Sequence, residues 1–99
     1  MKNFRCYQIA KDLYKQAQLV PLKGEPKDQL IRAPLSVCLN LVEGSARPTQ
    51  KDRRRFFYTA LSSLREVQAL IVLHELNGLG CAADMLGAHV YKLIMAVKT

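Results

Sequence analysis

The sequence predicts an all-α protein folded as an antiparallel up-down four-helix bundle, and three observations lead to this prediction. Apolar residues recur about every 3.6 residues in four segments, and no segment shows the alternation of a strand. The segments are joined by short stretches marked by Pro or Gly, which suit antiparallel neighbours. Hydrophobic residues make up 49% of the chain, but Trp is absent, so an aliphatic core is expected. Ninety-nine residues form a single domain, 1–99.

The first helix is predicted from Asn3 to Val20, where Pro21 ends it. Its apolar residues share one face, and Lys11 and Lys15 fall on the opposite face. The stretch that follows, LKGEPKD, is predicted to be a loop because Gly and Pro interrupt it.

The second helix is predicted to begin after an N-cap at Asp28 and to break at Gly44. Pro34 removes one backbone hydrogen bond, so a bend is expected there. Most of the circumference is apolar, which indicates a helix enclosed by neighbours. The remainder is a polar seam whose members are Arg32, Ser36, Asn40 and Glu43.

The third helix is predicted from Gln50 to about Asn77, with Thr49 as its N-cap and Asp52 completing a capping-box pattern. Beyond Val67, apolar residues appear on the side that was polar before, namely Ala69, Leu70, Val72, Leu73 and Leu76. A helix that is apolar all round needs a cover, and self-association is the simplest one.

The fourth helix is predicted from about Ala82 to Val97, after a stop at Asn77, Gly78 and Gly80. Its predicted core stripe is Leu86, Val90, Leu93 and Val97.

Composition favours a cytoplasmic protein with a polyanionic partner. The net charge is +7 and the pI is near 9.6, which favours nucleic acid or an acidic protein surface, although solubility alone is the alternative. Cys6, Cys38 and Cys81 are odd in number and lie on apolar positions, so reduced, buried thiols are expected. There is no CxxC or CxxH pair for a metal, no signal peptide, and no apolar run near the roughly 20 residues of a membrane span.

The densest positive charge is the main candidate for nucleic-acid binding, and its members are Arg47, Lys51, Arg53, Arg54, Arg55 and Arg65. Arginine forks suit phosphate oxygens. Lys11 and Lys15 extend the patch if the first helix lies alongside. The alternative is a solvated helix face or pairing with Asp52 and Glu66, but eight acids against fifteen bases leave most arginines without partners. No motif for reading specific bases is present.

Three features of the candidate residues leave alternatives open. Arg53 faces the core side of the third helix and either reaches outward past the bundle end or pairs with Glu43. The polar seam either satisfies neighbouring groups or lines a binding surface. A catalytic site would need Glu43 with His74 or His89, and nothing in their spacing joins them, so no enzymatic activity and no cofactor are expected.

The second and third helices also carry a family pattern. It consists of Leu30, Arg32, Ala33, Ser36, Asn40, Glu43, Gly44 and Arg47, followed by Arg55, Phe56, Ala60, Ser63, Leu64 and Glu66. These residues resemble the four-helix-bundle family encoded in intervening sequences of 23S ribosomal RNA genes. The chain departs from the pattern at Pro34, where Ala is usual, at Cys38, where Pro is frequent, and at Arg53, where an apolar residue is usual.

The resemblance implies a bundle that assembles as a homo-oligomeric ring, typically a homopentamer, without catalytic activity. It also implies a link to nucleic acid, since the related accessory proteins of diversity-generating retroelements act beside a reverse transcriptase and its template RNA. The sequence is therefore interpreted as a non-enzymatic protein that binds RNA or DNA through phosphate contacts, with a reverse transcriptase as a candidate partner. The alternative is an interaction scaffold whose basic face docks an acidic protein.

Overall fold

The computed structural model describes residues 4–97 and confirms the all-α class with four helices. The helices are α1 (Phe4–Gln18), α2 (Gly24–Ala46), α3 (Gln50–Leu73) and α4 (Gly80–Ala96). A single 3₁₀ turn, Asn77–Leu79, leads into α4, and no strand occurs between residues 4 and 97. Asn3, the predicted first residue of the first helix, lies outside the described residues.

Each helix packs on the next in the chain, and α4 closes the bundle against α1. Among the described residues, no Cα atom of α1 lies within 8 Å of one in α3, and none of α2 lies within 8 Å of one in α4, so these two pairs are diagonal. The bundle measures 40 × 21 × 19 Å. The α2–α3 turn therefore lies at the same end as the beginning of α1, and the other two turns lie at the opposite end.

The core is aliphatic, as the composition predicts, with Phe57 as its one fully buried aromatic residue among those described. Cys6 and Cys38 belong to this core, and burial raises the pKa of both thiols to about 11. Cys81 differs from the expectation, because it is exposed in the first turn of α4.

Helix α2 begins at Gly24, five residues before the start that the Asp28 cap predicts. Pro26 is compatible with this first turn because its missing N–H would have no helical partner there. Lys27 explains the early start. Its Nζ donates to the carbonyl oxygens of Ala17 at 3.2 Å and Gln18 at 2.7 Å, and also to that of Val20.

The predicted break at Gly44 is wrong, because α2 continues through it to Ala46. Gly44 is buried against the side chains of Phe56 and Phe57, so the glycine provides space for close packing. Thr49 is the N-cap of α3 as predicted, and its Oγ1 accepts the backbone N–H of Asp52 at 3.2 Å.

Helix α3 ends at Leu73, about one turn before the predicted end at Asn77. Glu75 has φ of 56°, in the left-handed region that ends helices. Among residues 4–97, α3 is also the one helix long and apolar enough to cross a membrane by length and composition. A core helix of a soluble bundle has the same properties, and Arg65 and Glu66 interrupt its apolar half.

Candidate nucleic-acid interface

The turn between α2 and α3 and the beginning of α3 form a compact basic region, here called the basic corner. Its cations are Arg47, Lys51, Arg53, Arg54 and Arg55. Asp52 is the one carboxylate within the same stretch of sequence. The Thr49 cap places this stretch at the positive end of the α3 dipole, so the backbone adds to the positive potential.

Two of these arginines hold the corner together. Arg53 Nε donates to the backbone carbonyl of Arg47 at 2.7 Å, which satisfies an acceptor just past the end of α2. The predicted pair of Arg53 with Glu43 is not formed, because Glu43 forms its ion pair with Arg47 one helical turn away. The Arg47 guanidinium also lies 4.8 Å from the centre of the Phe56 ring.

The other three cations form no bond to the backbone of the corner; Lys51 and Arg55 are exposed and Arg54 is half-buried. Arg55 keeps 68% of its side chain exposed, lies 4.9 Å from the Phe56 ring centre, and approaches Asp52 only to 3.7 Å. Arg54 lies 5.6 Å from the Tyr58 ring centre and donates to the Tyr58 hydroxyl at 3.4 Å. Lys51 is exposed and has no hydrogen bond or ion pair within residues 4–97. The aromatic contacts limit the freedom of both arginines while their charges remain accessible.

The remaining predicted cations lie elsewhere. Arg65 Nη1 donates to Gln68 Oε1 at 2.8 Å, and Gln68 donates to Asp84, so this chain of bonds joins α3 to α4. Lys11 lies near Cys38 of α2, and Lys15 is exposed on α1. Since α1 is diagonal to α3, these lysines do not continue the basic corner in the way the sequence suggested.

The polar seam of α2 is satisfied over most of its length. Ser36 Oγ and Ser63 Oγ of α3 form a hydrogen bond of 2.8 Å. Asn40 Nδ2 donates to the Ser36 carbonyl at 2.8 Å and to Ser36 Oγ at 3.2 Å, and Glu43 pairs with Arg47. Arg32 differs, because it is exposed and has no hydrogen bond or ion pair within the described chain.

A groove of about 370 Å³ opens beside Arg32, between α2 and α3. Its lining residues are Gln29, Arg32, Ala33, Ser36, Ser63 and Glu66. Gln29, Ser63 and Glu66 are not among the site residues predicted from the sequence, although Ser63 and Glu66 belong to the family pattern. The available signal was spacing, since Ser63 and Glu66 lie three apart on α3 and share one face.

A comparison with models of protein families gave a match that includes both of these helices and most of the surrounding chain. A family model described as 23S rRNA-intervening sequence protein matches residues 3–86. The chain belongs to this family. Comparisons with curated proteins and with solved structures gave no match.

In this family member, the surface predicted for self-association is smaller than the sequence suggested. Leu70 is buried in the core of the single chain, and Leu76 packs partly against that core. Ala69 is exposed, and Val72 and Leu73 are 76% and 73% exposed. The unpartnered surface therefore consists of Ala69, Val72 and Leu73, here called the α3 apolar patch.

The residues considered for catalysis are separated in this family member. Glu43 pairs with Arg47 just before α3 begins, whereas His74 directly follows the end of α3. The length of α3 puts these two side chains at opposite ends of the bundle. The absence of enzymatic activity stays a prediction.

Proposed function

We propose that this protein is a cytoplasmic, non-enzymatic nucleic-acid-binding protein that contacts phosphate groups through Lys51, Arg54 and Arg55. The observation that carries the proposal is that Lys51 and Arg55 are exposed and that half-buried Arg54 bonds only to the Tyr58 hydroxyl, beside only one carboxylate of the same stretch. The family description, which refers to an intervening sequence in ribosomal RNA, supports a nucleic acid as the partner.

The chemistry of the corner suits a sugar-phosphate backbone. Each guanidinium presents a planar fork of donors that matches two phosphate oxygens. Arg54 and Arg55 rest against Tyr58 and Phe56, so binding immobilises them at a smaller entropic cost than it would free side chains. Contacts of this type neutralise charge without reading bases, so the corner binds RNA and DNA with little sequence preference.

The biological setting of the proposal is an accessory role beside an enzyme that acts on nucleic acid. The resemblance to accessory proteins of diversity-generating retroelements favours a reverse transcriptase and its template RNA. A reverse-transcriptase gene next to the gene for this chain would support that setting. If the gene for this chain instead lies inside a ribosomal RNA gene, ribosomal RNA becomes the favoured partner.

The test compares two double variants that change the net charge equally. Arg54→Glu/Arg55→Glu reverses the corner, and Lys15→Glu/Lys23→Glu reverses two exposed lysines at the opposite end of the bundle. Affinity for single-stranded RNA and for DNA is measured by fluorescence anisotropy over a range of salt concentrations. We expect the corner variant to lose at least about tenfold in affinity, and its plot of log K against log salt to become shallower by about two. The lysine variant should lose less affinity than the corner variant, and its salt dependence should stay steeper.

A non-nucleic polyanion such as heparin separates the proposal from its alternative. If the wild-type protein binds heparin as tightly as it binds RNA and DNA, the nucleic-acid proposal fails and an acidic protein partner becomes the better interpretation. Equal losses in the two double variants would contradict the assignment to the basic corner.

We also propose that the protein forms a homo-oligomeric ring, and the family resemblance favours a pentamer. The α3 apolar patch supports self-association, because the single chain leaves two large aliphatic side chains on one turn about three quarters exposed.

A further inference from the structure

The groove between α2 and α3 leaves room for a ligand because small residues lie between the two helices there. Ala33 is buried there, and Ser36 and Ser63 meet across the helices through their hydroxyl groups at 2.8 Å. Asn40 fixes Ser36 from one turn further along α2. The longer side chains of Gln29, Arg32 and Glu66 form the rim. The volume of about 370 Å³ falls within the range of small-ligand sites.

The rim carries two opposite charges that do not neutralise each other. Arg32 comes from α2 and Glu66 from α3, and both line the same groove. Neither forms a hydrogen bond or an ion pair with any residue between 4 and 97. A ligand in the groove therefore meets a fork of N–H donors on one side and two carboxylate oxygens on the other.

We propose that this groove binds a guanine base, either in a single strand or in a free nucleotide. Guanine has two adjacent donors, N1–H and the N2 amino group, which match the two oxygens of the Glu66 carboxylate. Its O6 and N7 are acceptors, and arginine pairs with them in a bidentate manner. Adenine, cytosine and uracil lack an adjacent pair of donors, so none of them satisfies the carboxylate and the guanidinium equally well.

The inference rests on the proposed function, because the groove lies on the path of a strand bound at the basic corner. Arg55 precedes Glu66 by about three helical turns and falls on nearly the same face of α3. The rise along the helix puts them about 16 Å apart. A single strand whose phosphates contact Lys51 and Arg55 can thus place an unstacked base between Arg32 and Glu66, in the manner usual for single-stranded RNA.

The test uses the full chain and a set of oligouridylates that differ at one central base. The central nucleotide carries guanine, hypoxanthine (as inosine), adenine or uracil. Hypoxanthine differs from guanine only by the absent N2 amino group. The variants are Glu66→Gln and Arg32→Gln, with Glu25→Gln as the control for an exposed carboxylate at the beginning of α2. Circular dichroism confirms folding, and a GMP titration followed by NMR reports on the free nucleotide.

We expect the wild-type protein to bind the guanine strand at least about fivefold more tightly than the adenine strand, with inosine between them. Glu66→Gln and Arg32→Gln should abolish this preference, so that the guanine and adenine strands bind equally, whereas Glu25→Gln should retain it. Arg54→Glu/Arg55→Glu should weaken all strands while keeping their ratios. GMP binding as tight as that of the guanine strand would identify the free nucleotide as the ligand, and weaker binding would identify the strand.

Equal binding of all four strands by the wild-type protein would overturn the guanine site and leave the phosphate contacts of the basic corner standing. Absence of binding to every strand would instead contradict the proposed function. In that case the GMP titration tests the groove by itself. NMR shifts that are confined to groove residues and are lost in Glu66→Gln would support the guanine site, and the absence of such shifts would refute it.

Discussion

At the scale of one residue, Gly44 is a glycine that close packing requires, although its position in the sequence suggests the end of a helix. A glycine near the end of a helical pattern suggests a stop, but this one lies within α2. A Cβ atom added at Gly44 would approach Phe57 Cε1 to 2.5 Å and Phe57 Cδ1 to 2.7 Å. The ring is fully buried and comes from the next helix, so neither group can move away easily.

Gly44→Ala should therefore destabilise the protein although alanine is the better helix former. We expect a loss of about 1–3 kcal/mol in the free energy of unfolding, measured by urea denaturation, because the added methyl group overpacks the contact with Phe57. Gly87→Ala in α4 is the control, since the nearest atoms to its added Cβ, on the side chains of Gln68 and Leu64, would lie at 3.6 Å. That variant should be neutral or gain up to about 1 kcal/mol. Equal stability of Gly44→Ala and the wild type would contradict the steric explanation.

At the scale of the helices, the connection between α1 and α2 depends on one lysine. The last carbonyl groups of α1 have no partners within their own helix. Lys27 supplies a cation and donates to carbonyl groups of Ala17, Gln18 and Val20. The ammonium also interacts favourably with the negative end of the α1 dipole. The stretch that reads as a loop thus becomes the first turn of α2.

Lys27→Met should preserve the aliphatic stem and remove these bonds. We expect a loss of about 1–2 kcal/mol in the free energy of unfolding, because the hydrogen bonds from a charged group are lost, although the carbonyls of Ala17 and Val20 still accept the backbone N–H groups of Val20 and Leu22. Lys23→Met provides the control, since Lys23 is exposed and forms no hydrogen bond within the described residues. If both variants lose the same amount, the lysine cap has no special role. Hydrogen exchange at the end of α1 should increase in Lys27→Met alone.

For the molecule as a whole, the exposed apolar residues at the end of α3 are the feature that a single bundle does not explain. Val72 and Leu73 are each about three quarters exposed, although they continue a helix whose other residues build the core. Their burial between copies would contribute roughly 1.5–3 kcal/mol for each side chain in each subunit. A ring of copies would remove them from water on every subunit.

Val72→Asp/Leu73→Asp should convert the assembly into a folded monomer, because charges on this patch oppose its burial. Sedimentation velocity at micromolar concentration is the measurement, with circular dichroism to confirm the helices. Met95→Asp is the control, since Met95 is 49% exposed near the end of α4, at the opposite end of the bundle from the patch. It should sediment like the wild type. A monomeric wild-type protein would remove the ring proposal.

The four helices, the Thr49 cap and most of the core could be predicted from sequence, because periodicity and capping depend on neighbours a few residues away. The beginning of α2 and the role of Gly44 could not. Each depends on a contact between different helices, Lys27 with the end of α1 and Phe57 with Gly44.

The same distinction applies to the candidate sites. Local sequence alone identifies the basic stretch, since a charge cluster is visible without a fold. Only the tertiary structure separates Arg47 and Arg53, which hold the α2–α3 turn, from Lys51, Arg54 and Arg55, which form no bond to that turn's backbone. It alone also brings Arg32 and Glu66 to one groove, because these residues are distant in the chain and meet only when α2 packs against α3.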